Sequence, residues 1–193
     1  MSSNKTYTVA YRRKREGKTN YKKRLSLIKS GKPRLVIRKS LKSTTLQIIS
    51  FDPKGDKIIA AVNSNELKKL GWDYNKANLP SAYLAGLLLA QNAKQKNISE
   101  AILDIGLQIS IKGSRLYSAL KGLIDNGLDI AVDEKILPVE DRITGKHIAD
   151  YAEKLKCSSE KYNKQFSSYI KINLKPEDIA KKFEEIKNKI TQM

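Results

Sequence analysis

The sequence holds one cysteine, Cys157, and one histidine, His147, among 193 residues. A single cysteine excludes an intrachain disulfide framework and a cysteine-based zinc site. With no second cysteine and no nearby histidine to activate it, Cys157 reads as an inert small residue. A single histidine leaves a His-rich metal site or a conventional His-based triad without its parts. His147 follows Gly145-Lys146 at a predicted helix start, which suits a capping or surface hydrogen-bonding side chain. Long hydrophobic runs are also missing. The densest, Tyr83 to Ala90, falls far short of the roughly 20 apolar residues of a membrane span. The basic N-terminus has no apolar segment behind it, so no signal peptide is expected. Apolar residues make up 40% of the chain. That is below the roughly 45–50% of an average globular domain, so part of the chain lies outside a core. The length fits one domain with appendages. The expectation is a soluble, intracellular protein.

Acid is scarce at one end. The first 45 residues contain 15 Lys and Arg against one acid, Glu16, a net +14, whereas the rest contributes only +4 to the total of +18. Six of the eight arginines lie within the first 38 residues. Arginine presents a planar fork of donors that grips phosphate bidentately and stacks on bases, which lysine does not do. Tyr7, Tyr11 and Tyr21 interleave with these cations, and tyrosine can stack on unpaired bases. A solubilising tail has no need of such aromatics, so nucleic acid is the expected partner. A membrane surface fits less well, because the segment lacks the apolar stripe of an interfacial helix.

Periodicity places the elements. Residues 1–20 have no hydrophobic period and are expected to be extended or disordered until bound. A short helix is predicted over Asn20 to Lys29. Period-two patterning then predicts strands over Arg34 to Ser40, Leu46 to Phe51 and Lys57 to Val62, the last two joined by the turn Asp52-Pro53-Lys54-Gly55-Asp56. These three should form an antiparallel meander. Next come a buried helix begun at Pro80, a strand over Glu100 to Gly106, and a helix through Leu116, Leu120 and Leu123 ending at Asn126-Gly127. A short buried strand, Leu128 to Val132, and a helix from Thr144 to Lys156 complete the order βββ-α-β-α-β-α. That order predicts an α/β fold, a mixed sheet with helices on both faces. Pro176-Glu177-Asp178 starts a last amphipathic helix striped by Ile179, Phe183, Ile186 and Ile190, expected to dock on the body. The implied division is a basic arm (1–33), an α/β body (34–156) and a C-terminal helical extension (157–193).

Catalytic constellations are absent from the pattern. Gly106 and Gly113 are not followed by the Gly-Lys-Ser/Thr of a phosphate loop. Asp52, Asp104, Asp129 and Asp133-Glu134 recur near strands, as two-metal nuclease ligands would. Such a site needs an acid within its leading strand, and Arg34 to Ser40 offers only cations. Asp104 and Asp129 therefore read as turn or ion-pair residues, and no enzyme, cofactor or small-molecule substrate is expected.

Ordered motifs from Tyr11 to Lys156 carry a family resemblance. They are Tyr11-Arg12-Arg13-Lys14-Arg15-Glu16-Gly17-Lys18-Thr19-Asn20-Tyr21, then Arg24 through Val36. Further on stand Gly71-Trp72, Leu79-Pro80-Ser81-Ala82-Tyr83-Leu84-Ala85-Gly86, Ala101-Ile102-Leu103-Asp104-Ile105-Gly106, Asp125-Asn126-Gly127-Leu128-Asp129-Ile130 and Gly145-Lys146-His147-Ile148-Ala149-Asp150-Tyr151. The chain resembles the universal large-subunit ribosomal protein that binds 5S ribosomal RNA, the L-eighteen family in its archaeal and eukaryotic form. The resemblance implies a three-layer body with a ribonuclease-H-like mixed sheet and no nuclease activity. It implies a cytoplasmic protein bracing 5S rRNA in the central protuberance, beside large-subunit rRNA and neighbouring ribosomal proteins. By motif match, the arm contacts would be Tyr11, Arg12, Arg13, Arg15, Lys18, Thr19, Tyr21 and Arg24, and Arg34, Arg38, Ser40 and Lys42 would extend that surface onto the sheet. After the first strand the family commonly has Ser-Asn-Lys-His, where this chain has Ser40-Leu41-Lys42-Ser43. The usual amide and imidazole are therefore missing there. A general nucleic-acid packaging protein using the same arm is the alternative.

Overall fold

The structure, a computed structural model, describes residues 8–193. Side-chain alternation builds the sheet. Strands β1 (Arg34–Lys39), β2 (Thr44–Ser50) and β3 (Lys57–Asn63) pair antiparallel in chain order. Leu35, Ile37, Leu46, Ile48, Ala60 and Val62 bury together in the core. The turn between β2 and β3 closes as its sequence suggests, with the Gly55 amide donating to the Asp52 carbonyl at 2.9 Å. Strand β4 (Ile102–Asp104) lies parallel to β1, giving the order β3-β2-β1-β4. A parallel neighbour requires a crossover, and the helix between β3 and β4 supplies it.

Helix α3 (Leu79–Lys94) has Asn78 as N-cap and Pro80 in its first turn, and it is buried along most of its length. Helix α4 (Arg115–Asp125) packs against α3 so closely that two glycines are required. A Cβ on Gly86 would sit 2.2 Å from the Ala119 carbonyl oxygen, and one on Gly122 would sit 2.3 Å from that of Tyr83. The two helices together cover the apolar face of the sheet. Helix α9 (Ile179–Thr191) then docks on α3. Ile179, Phe183, Ile186 and Ile190 are all buried, and the Phe183 and Tyr83 rings lie 5.5 Å apart. Tyr74 fixes the chain ahead of α9 by donating to the Lys175 carbonyl at 2.7 Å, and burial pushes its pKa up to about 12. Helices α5 (Glu140–Thr144), α6 (Lys146–Leu155), α7 (Ser159–Gln165) and α8 (Ser167–Ile170) complete this side.

Four expectations need correction. First, the strand over Leu128 to Val132 is reduced to a single parallel bridge between Glu100 and Asp129. Leu128 and Ile130 are buried all the same, so their apolarity serves packing instead of a ladder. Second, the helix expected from Thr144 is broken at Gly145, which has φ +85° and separates α5 from α6. A Cβ there would come within 3.1 Å of Pro80 Cγ and 3.3 Å of Ile179 Cγ2. Third, the sheet does not carry helices of the body on both faces. The second face bears Arg34, Val36, Arg38, Thr45, Gln47 and Ile49, too polar a set to seat a helix hydrophobically, and the N-terminal segment borders it instead. Fourth, the expected lack of structure before residue 20 fails at helix α1 (Arg12–Arg15), where Lys14 and Arg15 amides donate to the Tyr11 carbonyl. The same expectation over residues 1–7, Tyr7 included, lies outside the described residues.

Candidate nucleic-acid interface

Helix α1 is a single turn made wholly of cations, and the acid Glu16 follows it directly. That carboxylate meets Arg12 at 3.5 Å and Lys18 at 2.8 Å. Both pairs are exposed and contribute little to stability. Arg13 donates from Nε to Thr19 Oγ1 at 2.9 Å, which folds the chain back after Gly17. The Tyr11 and Tyr21 rings meet at 5.2 Å across that fold, with Tyr11 73% exposed. Arg15 is exposed. Helix α2 (Tyr21–Lys29) starts at Asn20, whose Oδ1 accepts from the Lys23 amide at 3.1 Å.

One carboxylate ties α2 to the sheet. Asp56 Oδ2 accepts from Arg24 Nη2 at 2.8 Å and from Arg34 Nη2 at 2.6 Å. Arg34 also donates from Nη1 to Asp104 Oδ2 at 2.9 Å and is only 5% exposed. Its fork is occupied by two acids and cannot be offered to phosphate. Arg34 is thus an anchor, and its placement differs from the surface role expected of it. Asp104 is an ion-pair and turn residue, because its second oxygen accepts from the Gly106 amide at 2.9 Å.

Between α2 and this face of the sheet lies an open groove of about 440 Å³. Arg13, Lys18, Thr19 and Arg24 line one side, and Arg38 lines the other, with the Arg34 cluster as its floor. Charge in the groove is lopsided for a reason visible in the chain. From Gly17 to Phe51 there is no acid at all. The two acids that do reach the groove, Asp56 and Asp104, are both consumed by arginines. Lys32, nearby in sequence, is engaged by Glu100 at 2.6 Å, a hydrogen bond that raises its pKa.

Beyond the groove, β1 and β2 are joined by the hairpin Ser40-Leu41-Lys42-Ser43. Ser40 Oγ accepts from the Ser43 amide at 3.0 Å, and the Ser40 amide donates to the Ser43 carbonyl at 2.9 Å. Arg115 reaches from α4 to brace it, donating to the Ser40 carbonyl at 2.7 Å and to that of Ala77 at 2.6 Å. Arg38, Lys39 and Lys42 are exposed around this tip.

A family of ribosomal large-subunit proteins, described as 60S L5 and 50S L18, matches residues 5–100. The large ribosomal subunit protein uL18 of the archaeon Methanococcus maripaludis is 45% identical over all 193 residues, with both chains covered completely. The chain belongs to this family. It is a family of structural ribosomal proteins and not of enzymes. Within this member, six of the residues singled out from sequence meet at the groove: Arg13, Lys18, Thr19, Arg24, Arg34 and Arg38. Tyr11, Arg12, Arg15 and Tyr21 do not line the groove, and Ser40 and Lys42 stand on the hairpin. Lys23, Lys39 and Gln108 line the groove and were not singled out. The two lysines carried a signal, since each lies within three residues of a predicted contact. Gln108 carried none. Its amide donates to the Ile37 carbonyl at 2.6 Å, a pairing set by tertiary structure.

Proposed function

We propose that this protein binds 5S rRNA and braces it in the central protuberance of the large ribosomal subunit, in the cytoplasm. Large-subunit rRNA and neighbouring ribosomal proteins are the surrounding partners, and no cofactor or small-molecule substrate takes part. The reading assigns RNA gripping to residues 1–33 as a basic arm, scaffolding to 34–156, and support of α3 to 157–193. It treats the body as a ribonuclease-H-like sheet whose fifth strand has shrunk to a bridge.

One observation carries this reading. An acid-free stretch of chain folds so that its cations line an open groove, with the exposed Tyr11 close by in the chain. Phosphates would sit among Arg13, Lys18, Lys23 and Arg38, and bases would meet Tyr11. Six to eight phosphate contacts give a slope of log K against log[salt] of roughly −5 to −7. Arg38, fixed on a strand, and α2, tethered through Asp56, hold cations at set spacing and so favour one RNA shape over generic duplex.

The test is a competition titration at two salt concentrations, with labelled 5S rRNA against unlabelled tRNA and duplex DNA. A preference for 5S rRNA that persists at the higher salt is expected. An Arg12/Arg13/Arg15 triple alanine variant should bind more weakly and flatten the slope by about 2 to 3. Equal competition by duplex DNA would replace this reading with the packaging alternative.

A further inference from the structure

Leu41 is 98% exposed at the tip of the β1–β2 hairpin. Tight hairpin tips favour Gly, Asn, Asp or Ser, which serve the turn's backbone, and a fully solvated leucine contributes nothing to the fold. Here the serines on both sides of the tip clamp the turn to itself, while Arg115 holds it from below through the Ser40 carbonyl. The leucine is therefore displayed on a rigid mount, at little ordering cost to whatever receives it. What surrounds it restricts the partner. Arg38, Lys39 and Lys42 are exposed nearby, and the chain has no acid between Glu16 and Asp52. A ligand that covers Leu41 must also neutralise this ring of cations, so it presents apolar faces within a dense field of negative charge. Unstacked bases and ribose on an RNA backbone have that character.

We infer that Leu41 is an apolar wedge that packs against an unstacked base or ribose of the bound RNA while Arg38, Lys39 and Lys42 hold the flanking phosphates. The inference rests on the RNA-binding function proposed above and adds to it a contact that carries no charge. Burial of the side chain strengthens binding without releasing counterions, so its contribution does not depend on salt.

The test uses the full-length protein and a 5S rRNA transcript, titrated at three salt concentrations. Leu41→Ala should weaken binding about 3- to 10-fold with the salt slope unchanged. Leu41→Lys adds a cation and should nevertheless weaken binding. Both variants should melt like the parent, because nothing in the fold touches this side chain. If Leu41→Ala binds as the parent does and Leu41→Lys binds more tightly, the contact is purely electrostatic and the wedge is refuted, with the RNA-binding function intact. Unchanged RNA affinity in both variants together with failed incorporation into the large subunit would assign Leu41 to a protein partner, and would equally refute it. Equal competition by duplex DNA in the titration above would instead remove the 5S rRNA-binding function on which the wedge stands.

Discussion

Replacing Arg34 separates an anchor from a phosphate contact. Its guanidinium is 5% exposed and lies 2.6 Å from Asp56 and 2.9 Å from Asp104. At a charge separation of about 4 Å and an effective dielectric near 20, each pair is worth about 4 kcal/mol before desolvation. Desolvation returns several kcal/mol per ion, so the intact cluster adds little net stability. Breaking it is a different matter. In Arg34→Met the partly buried Asp104 carboxylate loses its cation while Asp56 is left with Arg24, and a charge stranded in this way costs about 3–5 kcal/mol. For a chain of this size that lowers the melting temperature by about 6–20 °C. Arg34→Lys should fall between, because one ammonium cannot fork to both acids. The measurements are urea unfolding and the salt dependence of 5S rRNA binding, made below the variant's transition. The anchor predicts a large loss of stability and an unaltered salt slope. A variant as stable as the parent, with a slope flattened by about one, would show Arg34 on phosphate and refute the reasoning.

Two further perturbations test the packing behind the interface. Gly122→Ala places a methyl 2.3 Å from the Tyr83 carbonyl oxygen, so α3 and α4 must move apart; a loss of about 1–3 kcal/mol is expected on thermal unfolding, and an unchanged melting temperature would mean the crossing is looser than described. Phe183→Ala empties a site that is 1% exposed between α9 and α3; it should cost about 3–5 kcal/mol and raise amide exchange along α9, while exchange in the β1–β2 hairpin stays as it was.

Local sequence determines an element wherever the neighbours in space are neighbours in sequence. The alternation of Leu35 and Ile37, the Asp52–Gly55 turn, Pro80 and the stripe through Phe183 each settle an element from a few adjacent residues. Failures lie where distant parts compete for the same residues. Leu128 and Ile130 have the pattern of a buried strand, and packing on the core uses that apolarity without completing a ladder. Gly145 carries φ +85° between two helices, and a Cβ there would also crowd Pro80 and Ile179, neighbours brought in from far along the chain. The charge asymmetry points to the N-terminal segment and first strand, whose cations line the groove. Charge alone could not say which cations are presented, because Arg34 and Arg38 are equivalent in sequence. The difference arises from Asp56 and Asp104, 22 and 70 residues away in the chain.

That division between held and presented cations explains how a cationic segment can become selective. A disordered polycation reaches any polyanion and loses its own conformational freedom when it binds. Here Asp56 accepts both Arg24 and Arg34, so the helix that bears Lys23 is fixed relative to the strand that bears Arg38. The acids of the groove lower its net charge, and therefore the nonspecific part of the affinity, while they hold the remaining cations in one geometry. Affinity for generic polyanions falls with the first effect, and the cost of ordering falls with the second. Under the proposed function, both effects would favour discrimination between RNA shapes. Two carboxylates inside a basic groove are thus no contradiction of the proposed phosphate-binding surface, because they would hold in place cations that are otherwise free to move.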